Sequence, residues 1–176
     1  MLTGVRAWTI QHEDAWKLAK DRGVLRGDGR RVWKEFRPHY KWLMTVMEER
    51  IPRPRNTATP VWCWVEKPDL RRSAHLPKGT RGVCLEVDMP AENILLSEFI
   101  LWHLVLNRAP IPLNKEEEGA YEESSHQEQL FVETRGHVFN ISHDWRFLVG
   151  KTLTFQGTAW EIPMTQVRKT TPFIAR

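Results

Sequence analysis

Cysteine and tyrosine are scarce in this 176-residue chain, which contains only two of each. Two cysteines, Cys63 and Cys84, are too few for a disulfide framework or a cysteine-rich zinc site. Both lie in predicted strands, where buried free thiols are common, so we interpret them as structural. The seven histidines are scattered singly, and no His or Cys pair has helical ligand spacing. The sequence therefore predicts no metal site.

Long hydrophobic runs are also missing. The longest, 99–106, is interrupted by His103 and is too short to span a bilayer. The opening residues 1–6 have neither the charged start nor the apolar stretch of a signal peptide. We therefore expect a cytoplasmic protein with no membrane partner.

The sequence has neither a phosphate-binding glycine loop nor a nucleophile elbow. No prosthetic group is expected, and the sequence indicates no oligomeric state. Tryptophan, in contrast, is abundant, with nine residues. Because each tryptophan has a large apolar surface and one N–H that needs a partner, most should lie in the core or in pocket walls.

Charge is unevenly distributed, although the formal net charge is only +4. Residues 50–81 contain eight basic and two acidic residues, and residues 113–133 contain seven glutamates and one lysine. Such asymmetry suggests an anionic partner, self-association, or simply two solvated loops. We expect a basic loop at 67–81 and an acidic, mobile insertion at 109–127.

Apolar spacing predicts both strands and helices. Strands are predicted at 5–11, 61–65, 83–88 and 152–162, and helices at 13–22, 38–50, 98–106 and 127–138. Gly23 should end the first helix, Pro38 should begin the second, and Ser97 is placed to cap the third. These elements predict one α+β domain over 1–176, with a strongly bent mixed or antiparallel sheet and three to four helices.

The final predicted strand, 152–162, places a carboxylate among aromatic residues. A bulge at Gly157 would put Trp160 and Ile162 on the core face and Glu161 on the opposite face. A partly desolvated carboxylate can act as an acid or stabilise a developing cation. The alternative is an edge-strand glutamate that faces water.

The basic loop supplies a second candidate site. Arginine and lysine neutralise phosphates, so Arg71, Arg72, Lys78 and Arg81 are the predicted nucleic-acid contacts. Trp62 and Trp64 could stack on bases, but they lie in an apolar run that is typical of core. The loop could also be only a solvated connection.

Several blocks centred on tryptophan or other aromatic residues recur along the chain. They are Trp8-Thr9-Ile10-Gln11, Tyr40-Lys41-Trp42-Leu43-Met44, Pro60-Val61-Trp62-Cys63-Trp64, Leu85-Glu86-Val87-Asp88-Met89-Pro90, Leu95-Leu96-Ser97-Glu98-Phe99 with Trp102-His103, and Gln156-Gly157-Thr158-Ala159-Trp160-Glu161-Ile162. Together, these Trp-centred blocks resemble one bacterial family, catalogued as domain of unknown function 3841. The resemblance covers nearly the whole chain, and the family's name assigns no activity.

The order of a polar first strand, a helix ending at Gly and a late-strand Glu is similar to small ADP-ribosyltransferase-like folds. This resemblance implies that first-strand residues bind NAD, that a Tyr packs on the nicotinamide ring, and that a Glu orients the ribose. The usual first-strand histidine is absent, and Arg6 is the only cationic substitute. The implied residues are Arg6, Trp8, Thr9, Gln11 and Tyr40 for binding and Glu161 for catalysis.

The leading hypothesis from the sequence is therefore a transferase that uses NAD as co-substrate and modifies an anionic target such as nucleic acid. Glu161 would stabilise the positive charge that develops on the ribose. The alternative is a non-catalytic module of a regulatory or defence system that binds nucleic acid or protein. Convergence of Glu161, Tyr40 and Thr9 on the largest pocket would favour the enzyme, and their dispersal would favour the binding module.

Overall fold

The computed structural model of the chain describes residues 4–57, 59–73 and 75–176. Over these ranges it confirms the α+β class and has six α-helices, more than the three or four expected. The strands are β1 (Val5–His12), β2 (Val24–Arg26), β3 (Val61–Trp64), β4 (Arg81–Met89), β5 (Leu95–Glu98), β6 (Phe155–Ala159), β7 (Glu161–Pro163) and β8 (Val167–Ile174). The helices are α1 (Glu13–Arg22), α2 (Arg37–Arg50), α3 (Phe99–Leu106), α4 (Lys115–Glu123), α5 (Gln127–Thr134) and α6 (Arg146–Val149).

Six strands form the main sheet, in the order β5-β6-β3-β1-β4-β8, and β2 and β7 form a separate two-stranded sheet. β1 pairs antiparallel with both β3 and β4, and β4 pairs antiparallel with β8. β1 is therefore an interior strand. Its residues Ala7 and Thr9 are buried on one face, as alternation along a strand requires.

The chain groups into two compact units, each with its own buried side chains. The first unit comprises the described residues of Met1–Leu95 together with Gly157–Arg176, and the second is Leu96–Gln156. Buried in the first unit are Leu25, Leu43, Met47, Val83, Leu85, Val87, Trp160 and Ile162, and buried in the second are Leu101, Trp102, Val105, Ile111, Phe131, Val138 and Trp145. Of the tryptophans predicted to be core, Trp62 and Trp64 are only half-buried.

Three helix boundaries follow from local signals in the sequence. α1 ends where predicted, because Gly23 adopts a left-handed backbone with φ of 72°. α2 has Pro38 in its first turn, where a missing N–H costs no helical hydrogen bond. The predicted cap of α3 is wrong: Ser97 lies in β5, and Glu98 caps the helix by accepting from the Leu101 backbone N–H at 2.8 Å.

The acidic segment, which we expected to be a mobile insertion, contains helix α4. Asn114 caps this helix by accepting a hydrogen bond from the Glu117 backbone N–H at 2.9 Å. Three glutamates occupy the first turn, where negative charge interacts favourably with the helix dipole. The acidic residues are therefore compatible with regular structure here.

The predicted strand at 152–162 is in fact two strands that belong to different sheets. β6 ends at Ala159, the chain bends at Trp160, and β7 pairs with β2. β6 runs through Gly157, and the break between the two strands lies at Trp160 instead. β8, which the sequence did not predict, then follows at the edge of the main sheet.

Candidate anion-binding cleft

A cleft of about 630 Å³ lies in the first unit between α1, β2 and the loop 27–31. We call it the arginine cleft. Its lining residues are Gln11 at the end of β1, Asp14, Ala15, Leu18, Ala19 and Arg22 of α1, Val24, Leu25 and Arg26 of β2, and Gly27, Asp28, Gly29, Arg30 and Arg31 of the loop.

Two features of the backbone shape this cleft. Gly23 turns the chain directly from α1 into β2, and its carbonyl accepts a hydrogen bond from the Met164 N–H at 3.0 Å. Gly27 packs so closely on Thr59 and Pro60 that a Cβ at this position would clash with both carbonyl oxygens. The loop can therefore approach that backbone only with glycine at position 27.

Four arginines and two aspartates line the cleft, so its lining has a net positive charge. Arg30 makes a two-point contact with Asp28, from Nε to Oδ1 and from Nη2 to Oδ2, each at 3.0 Å. These bonds hold the pKa of Asp28 below its usual range. Nε of Arg31 lies 3.9 Å from the same carboxylate. Over the described ranges, no hydrogen bond or ion pair is found for the Arg22 side chain.

Arg26 is held in place by Glu161. The two residues are directly opposite each other in the β2–β7 pairing, and Arg26 Nε donates to Glu161 Oε2 at 2.9 Å. Both side chains are about three-quarters buried, with 30% and 23% of their surface exposed. Glu161 therefore neutralises Arg26 in part and also fixes its orientation.

The end of β1 next to the cleft also experiences positive charge. Burial lowers the pKa of His12, and the nearby Arg31 guanidinium lowers it further, whereas Asp14 acts in the opposite direction. The protonated form of His12 is therefore disfavoured at this position. An anion bound beside Arg31 would favour that form.

An exposed aromatic pair follows the cleft loop. Trp33 lies two residues after Arg31, and 71% of its surface is exposed. Its ring stacks on that of Phe36, with centroids 5.7 Å apart and planes 20° apart. Large apolar surface next to a cationic cleft is a combination typical of binding sites.

The structure does not bring the residues predicted for NAD binding to one place. Arg6 and Trp8 lie on one face of β1, and Thr9 and Gln11 lie on the other. Arg6 is paired with Asp88 at 3.2 Å, and Thr9 is wholly buried, where its hydroxyl accepts from Gln11 Nε2 at 2.8 Å. Of these four, only Gln11 lines the arginine cleft.

Tyr40 and Glu161, the other two predicted residues, are also in different surroundings. Tyr40 packs edge-on against Trp62 with centroids 6.1 Å apart, and burial raises the pKa of its hydroxyl. Glu161 lines a narrow cleft of about 110 Å³ together with Trp160, and Tyr40 is not among the residues that line it. The predicted catalytic carboxylate is therefore engaged with Arg26.

The basic loop is anchored and partly neutralised. Arg71 makes the same two-point contact with Asp69 that Arg30 makes with Asp28, at 2.9 Å for each bond, and lowers the pKa of Asp69. Arg81 lies 3.2 Å from Glu13. Arg72 and Lys78 are exposed, and the N–H of Gly79 donates to the carbonyl of Ala175 at 2.8 Å.

The sequence prediction missed all four arginines of the cleft. Three of them, Arg26, Arg30 and Arg31, flank two glycines within six residues, and such glycines are also typical of a simple turn. The density of arginine around those glycines was the available signal. Arg22 gave none, because a basic residue in the last turn of a helix is common.

Within the described ranges, no helix has the length and apolar character that crossing a membrane would require. In the same ranges, no group of three or more His, Cys, Asp or Glu side chains is placed to hold a metal ion.

Comparison with known proteins places the chain in a family. Neither the curated proteins nor the solved structures include a match to it. One family model, described as Domain of unknown function (DUF3841), matches residues 6–168. That match covers most of the chain and confirms the resemblance of the Trp-centred blocks. The chain belongs to the DUF3841 family.

Proposed function

We propose that this protein is a non-catalytic nucleic-acid-binding module, and that phosphates of its ligand lie in the arginine cleft. The observation that carries the proposal is the arrangement of four arginines around one cleft of about 630 Å³. Guanidinium groups recognise phosphate oxygens with two parallel hydrogen bonds, which makes arginine suited to such ligands.

The ion pairs in the cleft are compatible with an incoming phosphate. The Arg30 side chain is 91% exposed, and exposed pairs such as Arg30–Asp28 contribute little to stability. A phosphate can therefore replace Asp28 at little cost. Arg26, in contrast, is oriented in advance by Glu161, which reduces the entropy lost when it contacts a ligand.

The transferase hypothesis has less support from this geometry. It requires Glu161, Tyr40 and Thr9 to converge on one pocket, but Thr9 is wholly buried and Glu161 lies against Arg26. Turnover of NAD that is abolished by Glu161→Gln, with NAD affinity retained, would support the transferase instead.

Two double variants test the proposed site. Arg30→Ala/Arg31→Ala removes two cleft arginines, and Arg71→Ala/Arg72→Ala removes two arginines of the basic loop. The pairs are closely matched, because each contains adjacent arginines, the first of which contacts an aspartate two residues earlier. Both variants change the net charge equally, so a difference between them reports position rather than total charge.

Binding is measured by fluorescence anisotropy with labelled single-stranded and duplex oligonucleotides over a series of salt concentrations. We expect the cleft variant to bind more weakly and to lose about one unit of salt dependence for each phosphate contact removed. The loop variant should retain most of the affinity. Loss of binding in the loop variant alone would show that nucleic acid contacts Arg71 and Arg72 rather than the cleft. If the unmodified protein binds no oligonucleotide at low salt, the proposed nucleic-acid-binding function is refuted.

A further inference from the structure

Trp33 is exposed to a degree that no other described tryptophan approaches. The remaining eight are buried or half-buried, whereas 71% of the Trp33 surface faces solvent. A solvent-exposed tryptophan does not contribute the large stabilisation of the fold that its burial would give, so the stability of the fold does not explain the position of Trp33.

The Trp33 ring is nevertheless held in a defined orientation. Trp33 begins a short 3₁₀ helix, Lys34–Phe36, and its carbonyl accepts from the Phe36 N–H at 3.0 Å. This turn stacks the two rings at an interplanar angle of 20°. With Phe36 against one ring face and most of the side chain in solvent, the opposite face of Trp33 remains open.

The segment that contains this ring is basic. Arg30 and Arg31 precede Trp33, Lys34 and Arg37 follow it, and Glu35 is the single acidic residue of the segment 30–37. Because successive Cα atoms are about 3.8 Å apart, the Cα of Trp33 lies within about 7.6 Å of that of Arg31. A ligand that contacts both residues therefore needs to span only a short stretch of backbone.

From this juxtaposition we infer that the ligand is single-stranded nucleic acid, with one base stacked on Trp33 and the adjoining phosphates in the arginine cleft. The inference rests on the proposed function and specifies its ligand. Proteins that bind single strands combine a cationic groove with aromatic side chains that stack on bases. In a duplex the base faces are covered by neighbouring base pairs, so Trp33 has no equivalent partner there.

The test compares Trp33→Ala and Trp33→Phe with the unmodified protein. Ile174→Ala is the control, because Ile174 is a large apolar residue of similar exposure, 66%, on strand β8. Each protein is titrated by anisotropy with three labelled ligands of equal length: a single strand, a duplex, and a single strand whose central nucleotides are abasic. Circular dichroism checks that each variant remains folded.

We expect Trp33→Ala to weaken single-strand binding about 5- to 150-fold, the range for loss of one stacked base. Trp33→Phe should recover most of that affinity, because a phenyl ring can also stack. Salt dependence should not change, since no phosphate contact is lost. The effect of Trp33→Ala should be small on the abasic strand and on the duplex, and Ile174→Ala should have no effect.

The outcomes separate this inference from the function on which it rests. If the cleft variant loses binding but Trp33→Ala does not, stacking on Trp33 is refuted and the nucleic-acid-binding function stands. Equal weakening of single strand, duplex and abasic strand by Trp33→Ala would also refute stacking. Absence of binding by the unmodified protein to all three ligands would refute both.

Discussion

Replacing Glu98 by alanine should destabilise the second unit strongly, because this carboxylate is wholly buried and bonded to two backbone donors. Its Oε2 accepts from the Leu101 N–H at 2.8 Å, and its Oε1 accepts from the Thr154 N–H at 3.2 Å. The first bond caps α3. The second, together with the bond from Phe99 N–H to the Thr154 carbonyl, joins the start of α3 to the segment before β6.

The expected cost can be estimated from these two donors. A buried donor left without an acceptor costs about 1–3 kcal/mol. The Leu101 N–H is buried, and the Thr154 N–H is only partly buried, so water can satisfy the second in part. We therefore expect Glu98→Ala to lower the free energy of unfolding by about 2–4 kcal/mol, a large share of the usual 5–15 kcal/mol.

Glu98→Asp separates the two bonds. Aspartate is a favourable helix cap, so it should keep the bond to Leu101, but its shorter side chain should not reach Thr154. Its cost should therefore be smaller than that of alanine. Glu122→Ala, at an exposed glutamate of α4 in the same unit, is the control and should change stability by less than about 0.5 kcal/mol.

Urea denaturation followed by tryptophan fluorescence measures the stability, and amide hydrogen exchange at Leu101 and Thr154 gives a local readout. Faster exchange at Thr154 in Glu98→Asp, with Leu101 unchanged, would support the assignment of the two bonds. A Glu98→Ala protein as stable as the control variant would show that the buried carboxylate is not what satisfies these donors.

Two further predictions concern the first unit. Gly27→Ala should lower the free energy of unfolding by about 1–3 kcal/mol, because the new methyl group meets the backbone of Thr59 and Pro60. The control, Gly119→Ala in α4, adds a methyl group in open space and should be neutral or stabilising. Urea denaturation midpoints compare the two variants, and equal midpoints would contradict the close packing of the loop. Burial raises the pKa of Cys63 to about 12 and that of Cys84 to about 11, so both thiols should react with a disulfide reagent at pH 8 only when urea unfolds the chain. Rapid labelling without urea would show that one of them is accessible in the native state.

Local signals made much of the fold predictable from the sequence. Gly23 predicted the C-terminal end of α1, and Pro38 predicted the start of α2. The apolar alternation of 83–88 predicted the central part of β4. Each of these signals acts within a few residues of the boundary that it determines, so no knowledge of distant contacts was needed.

The missed features depend on position in the tertiary structure. β8 gave no alternating pattern because it lies at the sheet edge, where five consecutive residues are exposed and Pro172 is tolerated. The arginine cleft was missed in part because one of its arginines, Arg26, is oriented by Glu161, 135 residues later in the chain. The pattern of residue types along the sequence contains no information about such a pairing.

The bend at Trp160 has a consequence for the kinetics of binding. Trp160 Nε1 donates to the carbonyl of Ile51 at 3.0 Å, and the Arg53 guanidinium lies 4.8 Å from its ring centroid. The residue immediately before Glu161 is thus fixed on two sides, and Glu161 in turn fixes Arg26. In the proposed binding mode, a ligand would meet an Arg26 guanidinium that needs no rearrangement, so this contact should not slow association. Differences in affinity among ligands should then arise mainly from how long each complex lasts.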